Sequence, residues 1–143
     1  MTQLSANFGL AELSCNDRDA TTVPQHLIPN ARRVATKVAQ PIRDRWAAPL
    51  IVVSGYRTIA WNLRVGGAQS STHLTVDGWD VRPVYLRDVP RLHDLILSMH
   101  AHDELPDLGG LGKYPAWVHI DTRQAADGHL RRWNGGGLGS EPG

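Results

Sequence analysis

Asp80 stands between Trp79 and Val81, in the stretch TVDGWDVRPVY, which reads as a buried β-strand. A buried carboxylate costs free energy unless a charge, a hydrogen-bond donor or a metal ion compensates it. The fold must therefore bring other polar groups to Asp80. His73 is one candidate, because it precedes Asp80 by seven residues in the loop that leads into the strand.

A second predicted strand, in the segment AWVHIDTR, presents a histidine and an aspartate on one face. Side chains alternate along a strand, so His119 and Asp121 point the same way, about 6–7 Å apart, and the intervening apolar residues point to the core. Two histidines, a carboxylate and an open water position are the composition of a catalytic zinc site. The spacing suits such a site, but it also suits a purely structural use of the histidines, and spacing alone leaves both open.

The order of the predicted elements favours an α+β fold with a largely antiparallel sheet, because helices come early and in the middle and do not alternate regularly with strands. An early helical region is interrupted by Pro41, which either kinks one helix or separates two. A later amphipathic helix begins near Asp88, a plausible N-cap. The chain of 143 residues has the size of one domain, predicted over residues 1–134, with a flexible Gly-rich tail over residues 135–143.

The C-terminal part is predicted to form a loop and a hairpin. DLGGLGKYP reads as a glycine-rich loop. AWVHIDTR and HLRRW read as two paired strands, joined by a turn at Asp127 and Gly128. In that arrangement His129 could approach the site from across the hairpin.

Composition excludes several classes of protein. The net charge is +1, whereas nucleic-acid-binding domains are usually clearly basic. Cys15 is the only cysteine, so no internal disulfide can form. The N-terminus lacks the basic and apolar regions of a signal peptide, and no apolar run has the length of a membrane span. We therefore expect synthesis in the cytoplasm, without a signal peptide or membrane insertion.

The motifs SGYRT, N, GGA, S-x-H followed by Asp, GGLGKYP, WVHIDTR and RRW occur in this order between Ser54 and Trp133. Together they resemble the M15 peptidases. These are zinc D-Ala-D-Ala carboxypeptidase-like enzymes, which include peptidoglycan endopeptidases and phage endolysins. The resemblance implies a compact α+β fold of the Hedgehog/DD-peptidase type, with the zinc site on an antiparallel sheet and helices packed against it.

The resemblance also implies roles for individual residues. The zinc ligands would be His73, Asp80 and His119. Arg57 would bind a carboxylate or carbonyl of the substrate, since its planar guanidinium suits oxyanions. Ser71 would either be a hydrogen-bonding partner near the metal or have only a local role in its loop. Tyr114 would either line the substrate cleft or cap the core.

The sequence departs from the family pattern at the catalytic base. Several relatives carry an acidic residue three positions before the second histidine, where this chain has Ala116. Asp121 is the leading replacement, because it shares a strand face with His119. Alternatively, Asp121 only orients a metal ligand.

The resemblance, together with the candidate metal ligands, implies zinc-dependent hydrolysis of a peptide bond in peptidoglycan stem peptides, by a monomeric carboxypeptidase or endopeptidase. The expected setting is a phage or prophage endolysin that reaches the cell wall after release, or a virion component. One alternative is a zinc-binding module without catalysis, which the missing acid at Ala116 favours. The other is a metal-free structural protein, for example of a phage tail.

Overall fold

The structure is a computed structural model, which describes residues 2–136. The helices are α1 Ile28–Val34, α2 Gln40–Trp46, α3 Ile59–Arg64 and α4 Val89–Ala101. The strands are β1 Leu50–Ser54, β2 Gly78–Pro83, β3 Gly110–Lys113, β4 Val118–Asp121 and β5 Arg131–Asn134. Short 3-10 turns occur at Leu10–Leu13, Gln25–Leu27, Thr72–Leu74 and Leu86–Asp88.

The strands form one sheet in the order β1-β2-β4-β3-β5. Three neighbouring pairs are antiparallel, whereas β3 and β5 run parallel. The predicted α+β class is therefore confirmed and the sheet is largely antiparallel, but it is mixed rather than purely antiparallel. In the centre of the sheet, Asp80 of β2 lies directly opposite His119 of β4.

The predicted hairpin between the last two strands is wrong. β5 pairs with β3 and not with β4, because β4 already has β2 on one side and β3 on the other. A turn does form where it was predicted, with Gly128 at φ +75°, but it leads the chain past β4 to the edge of the sheet. The reason for placing His129 near the site is therefore also wrong, and its side chain is exposed.

The segment predicted as a glycine-rich loop contains strand β3. Glycine is depleted in strands because it has no side chain to pack and loses much conformational freedom. In β3 the glycines alternate with other residues. Gly110 and Gly112 lie opposite Asp121 and His119, while Leu111 is fully buried in the core. One face of β3 thus carries Leu111 and Lys113, and the other carries no side chains.

Pro41 neither stops the early helix nor separates two independent helices. α1 continues through a π-helical segment, Ala35–Ala39, directly into α2. Pro41 lies in the first turn of α2, next to the wider turns of the π-helical segment. A proline lacks the N–H that a regular helix would use at that position, and π-helical turns are a common way to accommodate such an irregularity.

The hydrophobic core lies between one face of the sheet and the helices. It includes Val81, Leu111, Val118 and Ile120 from the strands and Val34, Val38, Ile42, Leu92 and Ile96 from the helical segments. Each such side chain contributes about 1.5–3 kcal/mol when fully buried. This packing holds the central strands in place, so that the opposite face of the sheet can carry polar residues.

Beyond β5, the backbone N–H of Gly135 donates to the carbonyl of Lys113 at 2.8 Å. The predicted flexible tail, residues 135–143, lies outside the described residues from residue 137 onward. Within residues 2–136, no helix is long and apolar enough to cross a bilayer.

Candidate metal centre

Three buried polar residues converge on the face of the sheet that is opposite to the core. His73 lies in the 3-10 turn Thr72–Leu74, Asp80 in β2 and His119 in β4. All three are at most 1% exposed. The antiparallel register of β2 and β4 brings Asp80 to His119, and the turn before β2 places His73 on the other side of the carboxylate.

The distances between the potential ligand atoms suit a small cation. Nε2 of His73 lies 3.2 Å from Oδ2 of Asp80, and Nδ1 of His119 lies 2.8 Å from Oδ1 of Asp80. The three ligand atoms lie within 4.8 Å of one another. In a tetrahedral zinc site with bonds of about 2.0–2.1 Å, neighbouring ligand atoms are about 3.3 Å apart. The donor set and its spacing therefore fit zinc with small adjustments.

Each imidazole is held at the ring nitrogen that faces away from Asp80. Nδ1 of His73 lies 2.7 Å from the carbonyl oxygen of Gly55, and Nε2 of His119 lies 2.9 Å from Oδ2 of Asp121. A carbonyl only accepts hydrogen bonds, so Nδ1 of His73 carries the hydrogen. Metal-ligating histidines usually donate their second ring N–H to a carbonyl or carboxylate in this way.

Ser71 supports the turn that presents His73. Its Oγ accepts a hydrogen bond from the backbone N–H of His73 at 3.1 Å, as an N-cap does, and Ser71 is 1% exposed. The structure thus brings Ser71 to the site, in contact with the backbone of a candidate ligand. Its predicted contact with substrate stays a prediction.

Gly78 gives the turn room to approach β4. A Cβ at this position would lie 1.9 Å from Oγ1 of Thr72 and 2.9 Å from Cε1 of His119. Because the glycine has no side chain, Oγ1 of Thr72 reaches a point 3.3 Å from Nε2 of His119. Any larger residue at position 78 would separate the turn from the sheet.

The electrostatics of the cluster favour a cation beside Asp80. Burial raises the pKa of Asp80, but the charge of His73 and hydrogen bonds from His73 and His119 outweigh burial and hold it well below its usual range. Burial lowers the pKa of His119, but hydrogen bonds to Asp121 and Asp80 outweigh burial and raise it to about 9. The contacts of its two ring nitrogens with Asp80 and Asp121 thus favour the protonated imidazole, and a divalent cation beside Asp80 would supply the same positive charge.

Arg57, the predicted substrate ligand, lies beside the cluster. One guanidinium nitrogen is 3.8 Å from Oδ2 of Asp80, the other is 3.2 Å from Oδ1 of Asn62, and the residue is 7% exposed. Asn62 also donates to the carbonyl of Ala68 at 2.9 Å. Asn62 therefore ties Arg57 to the loop that leads to His73, which explains the asparagine of the sequence motif.

Asp121, the predicted base, is fully buried behind His119. Its Oδ2 contacts the far nitrogen of His119, and its Oδ1 accepts from the backbone N–H of Arg123 at 3.0 Å. The Arg131 guanidinium contacts both oxygens. This arrangement favours the alternative interpretation, in which Asp121 orients a metal ligand, over the interpretation as a base.

Tyr114 lies at the edge of an aromatic cluster above the site. Its ring stacks on Trp117 at a centroid distance of 4.9 Å, its hydroxyl accepts from Nε1 of Trp133 at 2.8 Å, and it is 5% exposed. The Trp133 ring lies 5.2 Å from that of His119. Of the two interpretations of Tyr114, the packing role fits this burial better than the lining of a substrate cleft.

Sequence reasoning missed the contacts of Thr72 with His119 and of Arg131 with Asp121. The alternation of Gly110 and Gly112 leaves one face of a strand bare, but it does not indicate which side chains occupy that face. A loop interpretation of that segment hid this consequence, because it assigned no face to either glycine.

The comparisons with known proteins agree with this geometry. The family model described as Peptidase M15 matches residues 6–121, a range that contains the candidate ligands and Arg57. No curated protein matches the chain. M15 peptidases are zinc-dependent, so the match implies a metallopeptidase and agrees with a His-Asp-His cluster that could hold the metal. The chain belongs to the Peptidase M15 family.

Proposed function

We propose that this protein is a zinc peptidase that hydrolyses a peptide bond in the stem peptides of bacterial peptidoglycan. The observation that carries the proposal is the convergence of three buried donors at ligand spacing, in a chain that belongs to a peptidase family. The substrate class rests on the resemblance of the motifs to peptidoglycan-cleaving members of that family. By the same resemblance we propose a DD-peptidase-like fold and a monomeric endolysin or virion enzyme as the setting.

The metal would be held by Nε2 of His73, a carboxylate oxygen of Asp80 and Nδ1 of His119. The carbonyl of Gly55 fixes the first imidazole and Asp121 fixes the second. When bound, zinc polarises the scissile carbonyl and lowers the pKa of coordinated water to about 7, so neutral-pH hydrolysis does not require a strong carboxylate base. The alanine at position 116 is compatible with this chemistry.

Arg57 would act on the substrate. Its guanidinium is preorganised by Asn62 and lies next to the candidate ligand Asp80, so a substrate carbonyl that enters beside Asp80 would meet a fixed cation. Such preorganised charge stabilises the oxyanion that develops during acyl transfer. A substrate carboxylate could use the same guanidinium in a bidentate contact.

The test is mass spectrometry of purified peptidoglycan fragments after incubation with the protein. The incubation is done with the protein alone, with the protein and a chelator, and with the chelated protein after zinc is restored. We expect new fragments that disappear with the chelator and return with zinc, and their masses identify the bond. His119→Ala is the inactive variant, and His129→Ala, which changes an exposed histidine, is the matched control. Zinc-independent fragments, or equal activity of His119→Ala, would contradict the proposal.

A zinc-binding module without catalysis is the second candidate. It is favoured by Ala116 and by the engagement of both Asp121 oxygens, which together leave no assigned proton acceptor beside the metal. Under this alternative the protein binds zinc with the same three residues, but no wall type yields new fragments. Stoichiometric zinc in a protein that yields no fragments would therefore select it.

A further inference from the structure

Arg131 reaches the candidate metal centre from the edge of the sheet. It lies on β5, which is separated from β4 by strand β3. Nonetheless its Nη2 lies 2.7 Å from Oδ2 of Asp121, and its Nη1 lies 3.2 Å from Oδ2 and 3.3 Å from Oδ1. The Arg131 guanidinium therefore reaches across β3 and forms hydrogen bonds with the fully buried carboxylate of Asp121.

Gly110 makes this reach possible. In the register of the sheet it lies opposite both Asp121 and Arg131. A Cβ at position 110 would lie 2.3 Å from Oδ2 of Asp121 and 2.7 Å from Nη1 of Arg131. The bare face of β3 is thus occupied by the contact between its two neighbours, and any side chain there would push the pair apart.

Asp121 in turn contacts His119, a candidate ligand of the metal centre. The Oδ2 atom that accepts from Arg131 also lies 2.9 Å from Nε2 of His119, and the other nitrogen of that ring faces Asp80. A carboxylate held by a planar guanidinium has one fixed orientation. That orientation in turn fixes the plane of the imidazole, since outer partners of this kind orient metal-ligating histidines.

We propose that Arg131 is a positioning residue of the metal centre, which acts through Asp121 to hold Nδ1 of His119 towards the metal. The inference rests on the metal site of the proposed function. It goes beyond the family match, because the matched region ends at residue 121 and the resemblance of the RRW motif assigns no role to Arg131.

The first test is the zinc affinity of the full-length protein, measured by competition with a chelating indicator. Loss of an outer partner typically weakens metal binding about 10- to 100-fold, and we expect that range for Arg131→Gln. Arg132→Gln is the matched control, because it changes the same residue type on the same strand at an exposed position. We expect the control to bind zinc like the wild type.

A double-mutant cycle separates positioning from a general effect on the fold. If Arg131 acts through Asp121, Arg131→Gln will change zinc affinity less than about twofold in an Asp121→Asn background. The visible spectrum of the cobalt-substituted protein is a second readout, since it reports ligand geometry. We expect it to change in Arg131→Gln and to stay as in the wild type in Arg132→Gln.

Each outcome decides the proposal. Wild-type zinc affinity in Arg131→Gln, or an equal loss in both backgrounds, would overturn it while leaving the proposed peptidase intact. If Arg131→Gln does not fold, Arg131→Lys keeps the charge but not the fork, and weakened zinc binding supports the proposal whereas wild-type binding overturns it. A wild-type protein that binds no zinc would overturn both this proposal and the proposed function.

Discussion

On strand β4, Val118 and Ile120 face the helices, whereas His119 and Asp121 face the candidate metal centre, and all four side chains are buried. The apolar pair is held by packing with many neighbours, so other apolar residues of similar volume can replace it at moderate cost. The polar pair is held by a few directed contacts, so each residue depends on particular partner atoms. Strand β4 therefore has one face that tolerates substitutions and one face that does not.

The two faces of β4 differ in what remains after a substitution removes a contact. On the apolar face, a smaller residue leaves a cavity that the surroundings can partly fill. On the polar face, a missing partner leaves a buried group unsatisfied, which costs about 1–3 kcal/mol and more for a charged group. Stability should therefore respond to changes on both faces, but zinc binding only to changes on one.

The most sensitive position of the polar face is Asp80, which contacts both histidines and lies near Arg57. Asp80→Asn removes a ligand charge, so we expect the zinc-dependent release of wall fragments to fall by more than about 100-fold, the upper figure for the loss of an outer partner. Quantitative mass spectrometry of the fragments checks this. Asp94→Asn, which alters an exposed carboxylate, serves as the control, and full activity of Asp80→Asn would refute the assigned ligand.

Ile120→Ala tests the apolar face one residue away. We expect a loss of about 2–5 kcal/mol in the free energy of unfolding, against about 0.5–1.5 kcal/mol for Ile120→Val. Denaturant titration measures both changes. The comparison between the faces predicts that folded Ile120→Val binds zinc as tightly as the wild type, and a tenfold weaker affinity would show that the two faces are not separable.

Removal of the proposed metal should act on the polar face alone. At a free zinc concentration about 100 times the Kd, binding stabilises the folded protein by about 2.7 kcal/mol. For a chain of this size we expect a chelator to lower Tm on the order of 5–10 °C. Scanning calorimetry with and without chelator measures the shift. Asp80→Asn should show little shift, and an equal shift in that variant would place the stabilising metal elsewhere.

Ser71→Ala has the smallest expected effect, since it removes a cap from the turn that carries His73 and leaves the ligands in place. The loss of an N-cap hydroxyl typically costs about 1 kcal/mol, which thermal unfolding detects. Ser70→Ala keeps the exposed loop and its backbone and should leave Tm unchanged. A loss of zinc binding as large as that of Asp80→Asn would instead assign Ser71 a direct part in the centre.

The sequence correctly predicted the features that a local residue pattern determines. Alternation along β4 correctly separates His119 and Asp121 from the core residues, and the structure brings both histidines to Asp80. The α+β class follows from the order of elements. The ordered motifs are sufficient to identify the M15 family, which the family match confirms.

The features that could not be predicted from the sequence are those that depend on the order of strands in the sheet. An Asp-Gly turn predicts a reversal of the chain but does not specify which strand lies beside the returning segment. Likewise, the glycines of β3 indicate a strand only once Arg131 and Trp133 are known to lie over them. The contact between Arg131 and Asp121 joins two strands that are not neighbours, so no local spacing could have predicted it.

The strand order also has a consequence for how the chain folds. Among residues 2–136, the sheet neighbours of β3 are β4 and β5, both of which follow it in sequence, and β4 inserts between β2 and β3. During synthesis β3 therefore has no sheet neighbour until β4 has emerged. Pairings between distant segments form slowly, so we expect the site to be assembled among the last events of folding. A nascent chain that ends before residue 118 would display Asp80 on a strand whose inner neighbour is missing.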